Sequence, residues 1–492
     1  MKMSDKIKQK IRDFLDINTT HGLSVNIDQL LSFEADCFVN KIWYRGKANE
    51  LHELYGSIDD GLGNNHFWAS SPTAGMRIRK IHTGLPGLIV QVLTKVCTND
   101  LNDITLEDRQ EEWKAIAEEN NLKKLIANAV SDTFVYGDGA FKLSYDNRIS
   151  KLPIIEFFPG ERVEYEMARG RITGIIFKTP KMIKDRRYIL KEYYRKSGIE
   201  YKLEDPSGKE YETTDFEGFE SYQSVINHSS FIPAVPMMFS ESTVHKGRGK
   251  SIFDGKHDNF DAFDEVVSNW MLAVRKGQIK TYIPIELLPR DPETGEVIAG
   301  SDFDNDYFRV ESSMGEGDTN KIITTQGEIQ HEALLATYCT VLDLCLQGII
   351  SPSTLGIDVK KLDNAEAQRE KEKTTLYTRD DVIDVLGDTL QKLVKTTLMF
   401  CDAINKRDFK HTEVTVSFGG YANPSFEAQV ETIGKASING IMSIETQVEE
   451  LYGDSKDTEW KAAEVRRIKA ERGIEVVGEP AINKNPLGFA AE

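Results

Sequence analysis

A chain of 492 residues exceeds one ordinary hydrophobic core, so two to four domains are expected. Its 40% hydrophobic and 28% charged content is globular and excludes a disordered polymer. The net charge of −18 argues against tight holding of phosphate backbones, which takes Lys and Arg, but is compatible with letting nucleic acid pass.

The opening Met1–Lys10 leads into an amphipathic helix and not into an apolar signal core, and no run approaches the roughly 18 apolar residues of a membrane span. No membrane partner is expected. The five cysteines, Cys37, Cys97, Cys339, Cys345 and Cys401, are odd in number and form no CxxC pair. A reduced, cytoplasmic site of assembly fits this better than a disulfide framework or a zinc site.

Residues 1 to about 125 read mostly helical. Strand-like runs follow at Thr133–Tyr136, Ala140–Tyr145, Ile154–Phe158, Arg162–Tyr165, Gly174–Lys178 and Arg187–Tyr194. Gly137-Asp138-Gly139 and Ala168-Arg169-Gly170 supply turn chemistry between them. The spacing predicts an antiparallel sheet attached to helices, an α+β arrangement. Asp254 to Lys276 returns to helix, with Phe260, Phe263, Val267, Trp270, Met271 and Val274 on one apolar stripe.

From Gly277 to Gln326 the chain turns irregular. Acidic residues outnumber the four basic ones, and Pro284, Pro289 and Pro292 interrupt it. Strands are predicted at Ile279–Ile283 and Tyr307–Val310. A helix follows over about Glu328–Gly348, with Leu334, Leu335, Tyr338, Val341, Leu342 and Cys345 at helical spacing. After a break at Ser351-Pro-Ser-Thr-Leu-Gly356 and a polar stretch to Asn364, a second helix begins near Ala365, where Asp363 and Glu366 are placed like a capping box. It meets no strong stop before Asn405, and so spans about 60 Å. That length points to a repeat, a coiled coil or a large assembly. Gly387 lowers its local stability and permits a bend. Glu413–Phe418 reads as a strand returning to the sheet, and Phe426–Arg472 as two or more helices broken near Gly440 and Gly453–Ser455. The tail from Gly473 reads as a mobile terminus.

Several motifs invite chemistry and fall short of it. Gly247-Arg-Gly-Lys-Ser251 lacks the first glycine of a phosphate loop, since Val244 stands there, and reads better as a glycine-rich hinge into the next helix. Asp302-Phe-Asp-Asn-Asp306 alternates carboxylates as a calcium loop does. Tyr307 and Ser313 occupy the positions that need glycine and glutamate, so a solvated acidic loop is expected. The nine histidines show no paired metal-ligand spacing, and no GxSxG elbow presents a nucleophile. Neither an enzyme nor a cofactor is expected. Arg369, Lys371 and Lys373 alternate with Glu366, Glu370 and Glu372 as solvated pairs on the long helix.

The order of these segments resembles the portal proteins of tailed bacteriophages, of the SPP1-like type. The resemblance is carried by Ser351–Gly356, by Ala365-Glu-Ala-Gln-Arg-Glu370 with Thr374-Thr375 and Thr378-Arg379, by Gly247–Ile252, and by Asn40-Lys-Ile-Trp-Tyr-Arg-Gly46. It implies an α+β ring subunit with a helical stem, an antiparallel β-containing wing, a small α/β clip and a helical crown. The wing would take residues 1–253 with 406–424 returning to it, the stem helices 254–276 and 327–348, and the clip 277–326. A tunnel loop would take 349–364, the long wing helix 365–405, and crown and tail 425–492.

The function implied is a ring, dodecameric in that family, that forms the DNA channel at one capsid vertex of the virion after assembly in the bacterial cytoplasm. Double-stranded DNA would pass without sequence readout. The large terminase subunit, a head-completion adaptor, and the major capsid and scaffolding proteins would be partners. Ser353, Thr354, Lys360 and Lys361 would lie near DNA, and Glu293, Glu296, Asp302 and Asp304 would dock the terminase or adaptor. The alternatives are a terminase-like motor or nuclease, which needs the Walker motifs or carboxylate cluster missing here, and an internal head or adaptor protein, which should lack this segment order.

Overall fold

The computed structural model describes residues 32–57, 66–69, 78–183, 186–219, 222, 224–226, 231–284, 290–295, 307–310, 322–357, 365–410, 412–419, 426–438, 441–452, 458–471 and 473. The fold is α+β, and the chain divides into two units, Met1–Gly419 and Gly420–Glu492.

The first unit opens with helices α1 (Phe33–Arg45), α2 (Ala48–Ser57) and α3 (Leu85–Thr98). Ser32 caps α1 by accepting from the Ala35 N–H, and Gly46 ends it in the left-handed conformation that favours glycine. A short strand β1 (Thr105–Leu106) leads to α4 (Gln110–Glu119) and α5 (Leu122–Tyr136). Here the structure corrects the expected strand at Thr133–Tyr136, which forms the last turn of α5. β-branched and aromatic residues suggest a strand locally, but Ile126, Ala129, Val130, Thr133 and Phe134 continue the buried helical face, and Gly137 ends it at φ 91°.

Three antiparallel strands then form a small sheet in the order β10-β2-β3, from β2 (Asp138–Ser144), β3 (Ile154–Pro159) and, later in the chain, β10 (Ala234–Met238). A larger sheet follows in the order β4-β5-β6-β7-β8, comprising β4 (Val163–Ala168), β5 (Arg171–Ile183), β6 (Arg186–Arg195), β7 (Gly198–Glu204) and β8 (Glu210–Glu212), with β9 (Val225–Ile226) on β7. Ala140 and Ala234 of the small sheet and Val163, Ile175, Phe177 and Tyr194 of the large one share a buried cluster.

Helix α6 (His257–Lys276) runs out to three short strands, β11 (Lys280–Pro284), β12 (Tyr307–Val310) and β13 (Ile323–Thr325). β11 lies between a parallel β12 and an antiparallel β13. Helix α7 (His331–Leu346) returns, and after a turn the 40-residue α8 (Ala365–Ile404) runs through Gly387 as one helix.

The buried face of α8, Val382, Leu386, Leu390, Leu393, Val394 and Leu398, joins Trp43, Ile89, Leu93, Ile116, Phe141 and Phe260 in the main core. The chain then returns through β14 (Val414–Thr415). It pairs with Thr105–Leu106 of β1 and not with the large sheet, which corrects the expected return. A two-residue strand carries no register pattern of its own, so packing against α8 decides its partner.

The second unit contains α9 (Phe426–Ile438), α10 (Ile444–Tyr452) and α11 (Thr458–Glu471). Tyr452 packs edge-on against Trp460 at 4.9 Å. The breaks expected at Gly440 and Gly453–Ser455 lie outside the described residues, as do Met1–Lys10 and the tail beyond Gly473.

Candidate functional site

Helices α6 and α7 form an antiparallel hairpin with the three-stranded module at its far end. At the near end Lys256 Nζ donates to the carbonyls of Leu344 at 2.8 Å and Gln347 at 2.9 Å, where a helix leaves acceptors unsatisfied and favours a cation. Midway, the Tyr338 ring packs tilted against Phe263 at 5.2 Å and edge-on against Trp270 at 5.8 Å. At the far end a Cβ on Gly277 would overlap the Ile329 side chain, so the close approach of the two chain passes requires glycine there.

The first half of α6 is fixed by buried carboxylates. Asp261 accepts from the N–H groups of Phe67 at 2.7 Å and Trp68 at 3.2 Å. Burial pushes the Asp261 carboxyl up, against these two donors. Asp264 accepts from the Trp68 indole at 3.1 Å and from the Thr83 N–H and hydroxyl, both at 2.9 Å, and stands 2.6 Å from His82 Nδ1. Ser268 Oγ accepts from the Ile81 N–H at 3.0 Å. Among the described residues, no buried carboxylate fixes the far half of α6 in this way. Met271 and Val274 of α6 are exposed there, and so is Leu335 of α7; at the near end the Leu344 side chain is exposed as well. Of α7, in which 11 of 16 residues are apolar, only Leu342, Cys345 and Leu346 are buried.

The segment entering α6 is clamped, which corrects its reading as a hinge. Arg248 binds Asp138 at two points and donates to the carbonyls of Val163 and Gly160, both at 2.8 Å. The Gly249 N–H donates to Asp138 at 2.7 Å. Ser251 Oγ lies 3.0 Å from the Phe134 carbonyl and 2.7 Å from that of Val135. A glycine-rich stretch here serves close crossing of two backbones and not flexibility.

The break after α7 is half fixed. Ser351 is buried, and its N–H donates to Thr375 Oγ1 at 2.9 Å, while Thr354 Oγ1 lies 3.0 Å from the same atom. Ser353 Oγ is 2.7 Å from Ser351 Oγ. Ser351–Ile357 is therefore a turn tied to α8 through Thr375. Lys360 and Lys361 lie outside the described residues, as do Glu296, Asp302 and Asp304. Glu293 sits in an exposed turn, its N–H donating to Asp291 Oδ1 at 2.8 Å. At Gly387 an added Cβ would meet the Phe418 ring at 3.7 Å, an ordinary contact.

The structure thus brings Thr354 directly, and Ser353 by way of Ser351, to Thr375, a residue that in the sequence belongs only to the family-like motif. The anchors Asp261 and Asp264 carried no sequence signal, because their partners lie more than 180 positions away. The cysteines are free, and burial pushes the thiols of Cys97 and Cys345 up to about 12 and that of Cys401 up to about 11, which leaves these three as neutral packing groups. Among the described residues no helix is long and apolar enough to cross a membrane.

No family model matches the chain, and no curated protein matches it. Among solved structures it is similar to a chain in the neck of a native GTA particle with C12 symmetry. That likeness has a TM-score of 0.40 and 11% identity, and covers 76% of this chain and 91% of that one. A chain in the neck of an empty GTA particle with C6 symmetry gives a TM-score of 0.42 and 10% identity, over 78% and 95%.

Proposed function

We propose that this protein is a portal subunit, which closes with other copies into a ring and forms a DNA channel at a capsid vertex. The observation that carries this reading is the α6–α7 hairpin, capped by a small β module and apolar on surfaces that a single chain leaves in water. A helix apolar on most sides belongs in a core, and contiguous exposed apolar surface marks an interface. A head-to-tail contact between copies covers such a surface on every subunit and closes into a ring when the rotation allows. The hairpin would be the stem, its β module the clip, and the turn with α8 behind it the tunnel-facing segment. The subunit number would be twelve, as the family resemblance implies.

In this reading the chemistry is mechanical and electrostatic, with no catalysis and no cofactor. Glu293, Glu296, Asp302 and Asp304 of the clip would meet the large terminase subunit and later the adaptor. The capsid and scaffolding proteins would surround the ring during assembly in the bacterial cytoplasm. Lys360 and Lys361 would touch phosphates transiently, without base readout. Replacing both with Ala should shift stability by less than about 0.5 kcal/mol yet alter packaged-genome length. Normal packaging in that variant would remove the lysines from the reading.

The mass of the purified protein in solution at moderate salt tests the proposal. Closed rings are expected. A persistent monomer, or a two-fold dimer at all concentrations, would overturn it.

A further inference from the structure

Beyond the stem, the large sheet extends an arm. Strands β5 and β6 pair from Gly174↔Arg195 to Ile183↔Arg186. Their neighbours stop earlier, β4 at Val163↔Phe177 and β7 at Ile189↔Glu204. The last three pairs, Lys181↔Tyr188, Met182↔Arg187 and Ile183↔Arg186, therefore project past both flanking strands. The base of the arm is held where Tyr188 packs edge-on against Phe216 at 5.2 Å and Lys181 Nζ approaches the Tyr222 hydroxyl at 3.5 Å. Beyond it, Arg186 and Arg187 are exposed, and Met182, directly opposite Arg187, is 69% exposed. A two-stranded ribbon is marginal alone in water, and an apolar knob among cations at its end is a surface shaped for a partner.

The same chain carries the complement. On α8, Tyr377, Asp381, Asp384 and Asp388 follow one another at steps of four, three and four, which places them on one face. All four are exposed, Tyr377 by 66%. No Lys or Arg stands between Arg379 and Lys392, so the carboxylates repel one another along the helix.

We propose that the β5–β6 arm of one copy docks on this acidic stripe of a neighbouring copy, with Arg186 and Arg187 against Asp381, Asp384 and Asp388 and Met182 against the Tyr377 ring. Charge complementarity selects the occupant, and the thioether–aromatic contact gives Met182 a partner that a DNA backbone does not offer. The proposal rests on the ring reading and adds to it a contact that sets the register between subunits outside the stem.

The test is a charge swap. Arg186→Glu with Arg187→Glu, and separately Asp384→Lys with Asp388→Lys, should each raise the concentration needed for ring assembly by at least about tenfold. Combining all four changes should restore it. The thermal midpoint of each variant's monomer serves as the check that folding is intact. In otherwise wild-type rings carrying Met182→Cys and Tyr377→Cys, oxidation should give a ladder of cross-linked subunits that neither single variant gives. If wild-type rings form but reversal leaves assembly unchanged, if the swap fails to restore it, or if the arm variants lose only DNA affinity, the docking proposal is overturned and the ring reading stands. If the wild-type chain forms no ring, both fall.

Discussion

Arg248 and Asp138, 110 positions apart, form a buried two-point ion pair, with Nε 2.9 Å from Oδ2 and Nη2 2.8 Å from Oδ1. Asp138 starts β2 and Arg248 lies in the segment leading to α6, so the pair ties the small sheet to the base of the proposed stem. Planar two-point geometry with the remaining donors on backbone carbonyls is what makes arginine, and not lysine, suited to this place. Truncating one partner strands the other charge in the interior. Asp138→Ala or Arg248→Ala should each lower stability by about 3–5 kcal/mol in chemical denaturation, and Arg248→Lys should recover little of it. A loss below about 1 kcal/mol would show that the node is dispensable.

Gly249 sits against this node for lack of room. A Cβ there would overlap the Gly137 carbonyl, and one on Gly137 would meet Gly249 O at 2.5 Å. Both obstacles are backbone. Gly249→Ala should cost about 1–3 kcal/mol or more, whereas Gly255→Ala, where a Cβ meets nothing but φ is 73°, isolates the conformational cost. Equal thermal shifts for the two variants would contradict the crowding argument.

Thr375 should govern the turn before α8. Its hydroxyl is the acceptor for the buried Ser351 N–H, and Thr375→Val leaves that donor unsatisfied at a cost of about 1–3 kcal/mol. Amide exchange at Ser351 should quicken in the variant, while exchange in the buried turns around Leu390 stays slow. Unchanged protection at Ser351 would show that the turn is held by other contacts.

Two half-buried groups give opposite pH dependences. Burial lowers His257, which lies 2.7 Å from Asn40 Oδ1, to about 4. The unfolded chain then binds the proton first, so this histidine removes stability as pH falls from about 6.5 to about 4, on the order of 3 kcal/mol in full. Burial pushes the Asp132 carboxyl up to about 6. The folded chain here holds the proton longer, so stability falls as pH rises from about 4 to about 6 and the loss persists above. Asp132→Asn should therefore stabilise the protein at pH 7 and not at pH 4. His257→Gln should flatten the acid limb of the stability curve. Parallel curves for wild type and both variants would contradict the assignment.

Much of the architecture was legible because it rests on local periodicity. The stripe from Phe260 to Val274, the pattern of α7 and the uninterrupted run of α8 each declare a helix, and the strands from Ala140 to Tyr194 alternate between turns. What stayed hidden depends on distant partners. Arg248 stood inside a failed phosphate-loop motif, and nothing nearby signalled Asp138. Thr133–Tyr136 shows how four β-prone residues are overruled by the buried helical face they complete. The apolar stripe on α6 and α7 was visible, but not that its second half is left in water. The candidate sites were less legible than the fold, since Ser351 and Thr354 read as loop residues until Thr375 is seen between them.

On the proposed function, the exposed apolar faces of α6 and α7 close a ring. Electron micrographs of the purified full-length protein at moderate salt test it most directly. Uniform annular particles with a central hole and a protruding stem are expected. A field of single subunits or compact dimers without a hole, at every concentration tried, would contradict it.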